Sequence, residues 1–371
     1  VRILYLATAD ARGHLMRAQL LTHALRAAGV EVQLVTTSHD GVRFLQAFGL
    51  EAELLSTHYA VQFDACQNML RRETDRNVAH YVFRPNRMAR DIWQLHRWMR
   101  DCDLVVNDSF HPALLNMGAW PGWRRKIVHV YGASLRRALE SNFKGRVPFG
   151  LAGVFQRVIA LQLARSRARL EHDFAFEGVE RIDAGGYRLP TPVEVVSPSS
   201  PDVAGPSSCG VAVYLNPHFT EPMLAEALER GFAMAGVASH KVGEGYASRS
   251  GWQARDAQWV QAAARSDLIV TAPGMAGLSI ALVYRRPLLL VLTDQPEQAQ
   301  NAQRARELGL LHEVVVWQGE RDAFAAAVAA SVCRLTRDSK PAASVDGRQA
   351  AAARLAAWVA LLRELAGVRT G

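Results

Sequence analysis

The first forty residues constrain this chain more than any other feature. Arg2–Thr8 (RILYLAT) is a short, nearly unbroken apolar run, the pattern of a strand buried on both faces. Ala9–Gly13 turns. His14–Ala28 then carries apolar side chains at Leu15, Ala18, Leu21, Leu25 and Ala28, the spacing of one helical face. Gly29 stops the helix, as a glycine just past a helix end does, and Val30–Thr36 is a second apolar run. Strands buried on both faces and joined by a helix are parallel, with a right-handed crossover. Covering both faces requires further helices, so the chain is expected to continue as an alternating α/β fold.

The alternation persists. A helix is expected over 41–48, ended by Gly49, and another over 86–100. The strand Asp103–Asn107 (DLVVN), a helix from Ala113 and a strand at Lys126–Val130 follow. Ser197–Gly210 is rich in Pro, Ser and Gly and reads as a linker. Beyond it, strands are expected at 211–216, 237–242, 267–271, 287–292 and 313–317, with helices at 221–235, 257–265, 275–284, 297–308 and 322–335. A last helix, Gly347–Ala366, follows a polar break. The predicted architecture is α/β: two Rossmann-like doubly wound domains, 1–196 and 211–345, facing a central cleft and joined by 197–210. The C-terminal helix, 346–371, is expected to cross back to the first domain.

Composition removes other classes. With 371 residues, 49% apolar and 21% charged, the chain can bury substantial cores and is neither disordered nor collagenous. No apolar run reaches the roughly 18–20 residues of a membrane span. Cys66, Cys102, Cys209 and Cys333 are too few and scattered for a disulfide framework or a zinc site. A cytoplasmic protein is expected, since the opening reads as a strand rather than a secretory segment. The net charge of +8 is uneven. Residues 1–195 hold 26 basic and 19 acidic groups, and 196–371 hold 17 and 16. Arg124–Arg169 alone holds eleven basic residues and one acid, Glu140, interleaved with aliphatic and aromatic side chains. That mixture suits an anionic surface, and Arg136, Arg137, Lys144, Arg146 and Phe149 are its candidate contacts. A core helix with solvated arginines is the competing reading. Nucleic acid is not expected, because the stretch interleaves aliphatics rather than aromatics that stack.

Open α/β sheets bind ligands beyond the carboxyl ends of their strands, which directs attention to the loops there. Gly13 and His14 lie where the first strand hands over to its helix, and an imidazole there can take a proton from a hydroxyl near neutral pH. Asp108 ends the strand DLVVN and could fix that imidazole's tautomer. Each could instead serve as a helix cap. Thr271–Gly277 (TAPGMAG) places small residues before a helix whose free N–H groups suit a phosphate, though it is neither a P-loop nor a dinucleotide fingerprint. Asp294, Gln295 and Gln298 follow another strand and offer planar donors and acceptors suited to sugar hydroxyls. Asn216 and Gly243 close two further strands. Asp101-Cys102-Asp103 is a D-x-D, a pattern that elsewhere holds a metal–diphosphate, but it precedes a strand on the sheet edge opposite the expected cleft and reads as a solvated turn, while Glu171–Asp173 lacks metal-ligand spacing.

Together these segments resemble the two-domain GT-B glycosyltransferases, near the UDP-glycosyltransferases and the lipid-linked GlcNAc transferases. Arg12–Thr36 resembles the family's Gly-His opening, Asp103–Leu115 its Asp-ending strand, and Ser266–Gly309 its donor-binding signature, including Asp294, Gln295 and Asn301. The resemblance implies inverting transfer from a nucleotide-sugar, most simply a UDP-sugar, to a hydroxyl acceptor, and the composition of Arg124–Arg169 favours a lipid or other hydrophobic molecule as that acceptor. It implies His14 as base, Asp108 as its support, and donor contacts from Gly13, Asn216, Gly243, Trp252, Thr271, Gly274, Met275, Ala276, Asp294, Gln295 and Gln298. Trp252 sits near the position of a base-stacking Trp, with Trp259 in competition. No metal or cofactor is implied, and a peripheral place on the inner membrane face would suit a lipid acceptor. The chain departs from the pattern at Ala272, where relatives carry a phosphate-binding His, and at Ile280, where they carry a ribose-binding Glu. A non-catalytic binder of the same fold, or a sugar-nucleotide epimerase, is the alternative.

Overall fold

The computed structural model describes residues 1–9, 12–56, 85–108, 111–133, 163–197, 210–293, 296–338 and 344–368. They divide into two units. The first comprises the described residues up to Pro192 and those from Ala353 onward, and the second runs from Val193 to Ala352.

In the first unit, β1 (Arg2–Ala7), β2 (Glu31–Thr36), β3 (Glu53–Leu54), β4 (Leu104–Asp108), β5 (Ile127–Gly132), β6 (Ala168–Asp173), β7 (Glu180–Arg181) and β8 (Gly186–Pro190) form one sheet. Its order is β3-β2-β1-β4-β5-β6-β8-β7, and every pairing is parallel except β7 with β8. The β1 side chains alternate between faces as a pleated strand requires. Ile3, Tyr5 and Ala7 pack with Leu15, Ala18, Leu21 and Leu25 of α1 (Arg12–Ala27) and with Phe44 and Leu45 of α2 (His39–Ala47). Leu4 and Leu6 pack with Leu95 and Met99 of α3 (Pro85–Met99) and with Leu114 and Met117 of α4 (Pro112–Met117). A short α5 (Pro121–Arg124) leads into β5.

The second unit carries β9 (Val211–Leu215), β10 (Ser239–Gly243), β11 (Trp252–Gln253), β12 (Leu268–Thr271), β13 (Leu288–Leu292) and β14 (His312–Val316), ordered β11-β10-β9-β12-β13-β14. All five pairings are parallel. The helices are α6 (Pro222–Ala235), α7 (Trp259–Arg265), α8 (Met275–Tyr284), α9 (Pro296–Glu307) and α10 (Arg321–Asp338). Leu224, Leu228 and Phe232 of α6 meet Phe324, Val328 and Val332 of α10 over one face of the sheet.

The last helix, α11 (Ser344–Leu365), is divided between the units. Gly347 belongs to the second, where a Cβ would come within 2.7 Å of the Tyr284 ring. From Ala353 the helix joins the first. There Trp358, Leu361, Leu362 and Leu365 enter the core and Trp358 Nε1 donates to the Pro190 carbonyl at 2.8 Å. Arg354 Nη1 donates to the carbonyls of Phe174 and Thr191 at 3.1 and 3.2 Å.

Elements predicted from continuous apolar runs are present with ends shifted by a residue or two. The apolar pattern predicts no strand between 131 and 196, yet β6, β7 and β8 lie there. Strand β6 reads ARLEHD, and three of its four ionisable residues, Glu171, His172 and Asp173, are buried. Each has a partner: Arg188 Nε lies 3.3 Å from Glu171, Arg17 and Thr191 bond His172, and the Ala175 amide donates to Asp173 at 3.0 Å. Linker residues 198–209 lie outside the described residues. Among the described residues, no helix is long and apolar enough to cross a membrane.

Candidate functional site

Both sheets share one plan: a central strand (β1 or β9) flanked on one side by the next two in sequence and on the other by a later one (β4 or β12). Connections leave in opposite directions there, opening a crevice at the carboxyl ends of those two strands. In the first unit β1 and β4 end in register, with Ala7 beside Asp108. In the second, Tyr214 of β9 lies beside Thr271 of β12.

At the first crevice, Gly13 and His14 occupy the opening turn of α1. His14 Nδ1 is 3.1 Å from Asp108 Oδ1, with the imidazole 18% exposed and the carboxylate fully buried. With a proton on Nδ1, His14 donates to Asp108 and keeps the Nε2 lone pair, the arrangement of a general base. Arg17, one turn further along α1, donates to Asp108 through Nε at 2.8 Å and Nη2 at 2.5 Å. The Tyr5 hydroxyl donates to the same carboxylate at 2.9 Å. Arg17 Nη1 lies 2.6 Å from His172 Nε2. A guanidinium only donates, so His172 accepts there and its Nδ1–H donates to Thr191 Oγ1 at 2.9 Å.

The electrostatics follow. Burial would push the Asp108 carboxyl up, but the Arg17 charge and the hydrogen bond and charge of His14 outweigh it and hold the group far below the usual carboxylate range. Burial, reinforced by the Asp108 charge, drives the Tyr5 phenol well above its ordinary value. Burial and the Arg17 charge push His172 well below its own, keeping it neutral. Beneath Asp108, Asn107 Oδ1 accepts from the His111 amide at 2.8 Å and Asn107 Nδ2 donates to His129 Nδ1 at 3.2 Å. Burial lowers His129 to about 3.

At the second crevice, Gly274 is the N-cap of α8 and no side chain caps the helix. Among the described residues, a Cβ at Gly274 would meet nothing nearer than the Ala272 carbonyl at 4.0 Å. The described residues therefore leave space beside the first-turn amides of Met275 and Ala276, where the helix dipole favours an anion. Thr271 is buried at the end of β12. Asn301 Nδ2 donates to the Pro273 carbonyl at 2.9 Å, which fixes the turn before α8. Gln298 Oε1 accepts from the Thr293 amide at 3.2 Å and ties down the loop after β13. Gln298 is 6% exposed, so it supports the loop rather than facing outward. Asn216 begins the turn after β9, its carbonyl accepting from the Phe219 amide at 2.9 Å. Ala272 and Ile280 are both buried.

Trp252 departs from the expectation of a stacking surface. Its indole is 5% exposed, donates through Nε1 to Glu229 at 2.6 Å, and lies 4.8 Å from the Tyr246 ring. Gly243 is its seat, because a Cβ there would come within 3.0 Å of the indole. Trp259 is also core, donating to the Val213 carbonyl at 3.0 Å. Neither indole offers an open face to a nucleobase. Asp294, Gln295, Arg136, Arg137, Lys144, Arg146 and Phe149 lie outside the described residues. Of the acidic patterns, Asp103 accepts from the Arg2 amide at 2.9 Å at the opposite end of β4, and 171–173 form part of β6.

No known family profile matches the chain, and no curated protein matches its sequence. Solved structures do. CalG4, the calicheamicin glycosyltransferase, is 18% identical over 100% of this chain and 99% of its own, with a TM-score of 0.63. The spinosyn forosaminyltransferase SpnP is 15% identical over 98% and 99%, at 0.59. Glycosyltransferase VinC, solved in complex with dTDP, is 17% identical over 99% of both chains, at 0.58. The fold is GT-B. In this GT-B chain the sequence reading named His14 and Asp108 but missed Arg17, Tyr5 and His172. The available signal was the i, i+3 spacing of His14 and Arg17, which puts both on one face of α1.

Proposed function

We propose that the chain is a glycosyltransferase that moves a sugar from a nucleoside-diphosphate sugar to a hydroxyl, with inversion. His14 Nε2 takes the acceptor hydroxyl's proton as the oxygen attacks the anomeric carbon. Asp108 holds the Nδ1–H tautomer. The first-turn amides of α8 stabilise the leaving diphosphate, and Asp294 and Gln295 hold the sugar. The observation that carries the proposal is the 3.1 Å His14–Asp108 hydrogen bond at the end of β1 and β4.

A thermal-shift screen of nucleoside diphosphates, with UDP and dTDP first, tests donor binding, since a ligand selective for the folded chain raises its apparent stability. Transfer assays with the corresponding sugars then test the chemistry. In these assays His14→Ala should lose roughly 10²–10⁴-fold in turnover with donor affinity little changed. Unaltered turnover removes His14 as the base.

The acceptor side of the proposal is a hydrophobic hydroxyl compound or lipid, reached through the basic stretch 124–169. Its support is compositional, and co-sedimentation with anionic vesicles tests it: no binding at low salt removes the membrane part. Ala272 and Ile280, which supply no polar side chain toward a donor, favour a second reading in which the chain binds a nucleotide-sugar without transferring it. Binding in the thermal screen with no transfer across the sugar panel would select that reading.

A further inference from the structure

We propose that Arg17 is a positioning residue that neutralises Asp108, so that His14 senses an ion pair of no net charge rather than a carboxylate anion. The inference rests on the reading of His14 as the base, but its test needs no transfer activity.

A carboxylate offers about four acceptor positions, and all four of Asp108's are taken. Oδ2 accepts from Tyr5 and from Arg17 Nε and Oδ1 from Arg17 Nη2, and with its proton on Nδ1 His14 donates to Oδ1 as well, the approach of Arg17 Nη2 to Nδ1 then being a contact of charge rather than a hydrogen bond. Only one comes from the base, and two come from one guanidinium. Arg17 and Asp108 are both buried, at 4% and 0% exposure, so solvent screens their interaction little. His14 sits almost equally close to the two charges. Its Nδ1 is 3.1 Å from Asp108 Oδ1 and 3.0 Å from Arg17 Nη2, so their fields at the imidazole oppose at comparable distance.

Among the described residues, the groups in contact with this pair add no further charge. Tyr5 on β1 keeps its proton, and His172 on β6 is neutral, with its Nδ1 spent on Thr191. His172 also anchors the guanidinium from behind, and its ring lies 6.4 Å from that of Trp358 on α11. Arg17 is therefore fixed at both ends of its fork. A lone buried carboxylate would raise the proton affinity of a hydrogen-bonded imidazole. Here Asp108 retains its orienting hydrogen bond to Nδ1 while Arg17 offsets its field.

The test is the NMR titration of the His14 imidazole in the full chain, its resonance assigned by disappearance in His14→Gln. In Arg17→Met the midpoint should rise by about one pH unit or more, and in Asp108→Asn it should fall by a similar amount. Each single change strands a buried charge and endangers folding, so the double variant Arg17→Met/Asp108→Asn, which strands neither, carries the decision. No pair and a compensated pair present the same net charge, so its midpoint should lie within about 0.3 of the unsubstituted chain's. A fall of a unit or more in the double variant would show that His14 feels the Asp108 anion despite Arg17, and overturns the proposal. If instead His14→Ala leaves transfer intact, the base assignment fails while the titration result still judges Arg17.

Discussion

Replacing His129 with Gln should flatten the acid sensitivity of the first unit. His129 is fully buried in β5, and Asn107 donates to its Nδ1. Burial holds its pKa at about 3, against about 6.5 in an unfolded chain. Because the folded value is the lower one, the unfolded state binds the extra proton as pH falls below about 6.5. Stability is complete above that pH and declines until the folded group titrates near 3. Between pH 7 and pH 5 this linkage amounts to about 2 kcal/mol, a roughly thirtyfold change in the opening equilibrium. Gln cannot titrate, yet its side-chain oxygen can still accept from Asn107. The measurement is urea unfolding at both pH values, read by hydrogen–deuterium exchange on β5 peptides, since two units need not unfold together. The unsubstituted chain should lose about 2 kcal/mol more than His129→Gln. Parallel losses would refute the reasoning, and would mean that β5 opens without exposing His129 or that the buried imidazole already carries its proton.

Other expectations follow from the same geometry. Below about pH 4 the first unit should weaken further, because Asp108's folded pKa lies beneath its unfolded value and its stabilisation is lost as pH falls toward the folded one; acid unfolding of Asp108→Asn should be less steep over that window. Gly274→Val has room for its Cβ and should melt near the unsubstituted chain, yet crowd the α8 amides and weaken nucleoside-diphosphate binding in a calorimetric titration. Trp358→Ala removes a fully buried indole and its bond to Pro190 and should cost about 3–5 kcal/mol in urea unfolding of the first unit.

Most of the fold was legible because parallel strands buried on both faces leave continuous apolar runs. RILYLA, LVVND and LLLVL announce themselves, and glycines close several of the intervening helices. Strand β6 was illegible for the opposite reason: Glu171 is satisfied by Arg188 and His172 by Arg17 and Thr191, partners outside the strand that no local pattern records. Arg17 was passed over on the same ground, since an arginine on a helix is mostly exposed and its burial depends on Asp108, 91 residues away. The adjacency of His14 and Asp108 was legible because both sit at strand ends that the topology places side by side. Trp252 misled because position alone does not distinguish an indole at a strand's edge from one that closes a core.

The division of α11 bears on how the polypeptide matures. The described residues up to Pro192 hold eight strands but lack the indole and the guanidinium that close over the Pro190, Phe174 and Thr191 carbonyls. During synthesis this segment must wait, its sheet partly unroofed, until residues near 365 emerge from the ribosome. The piece made first is thus completed last, and a nascent chain stalled before residue 353 would present that bare surface to chaperones.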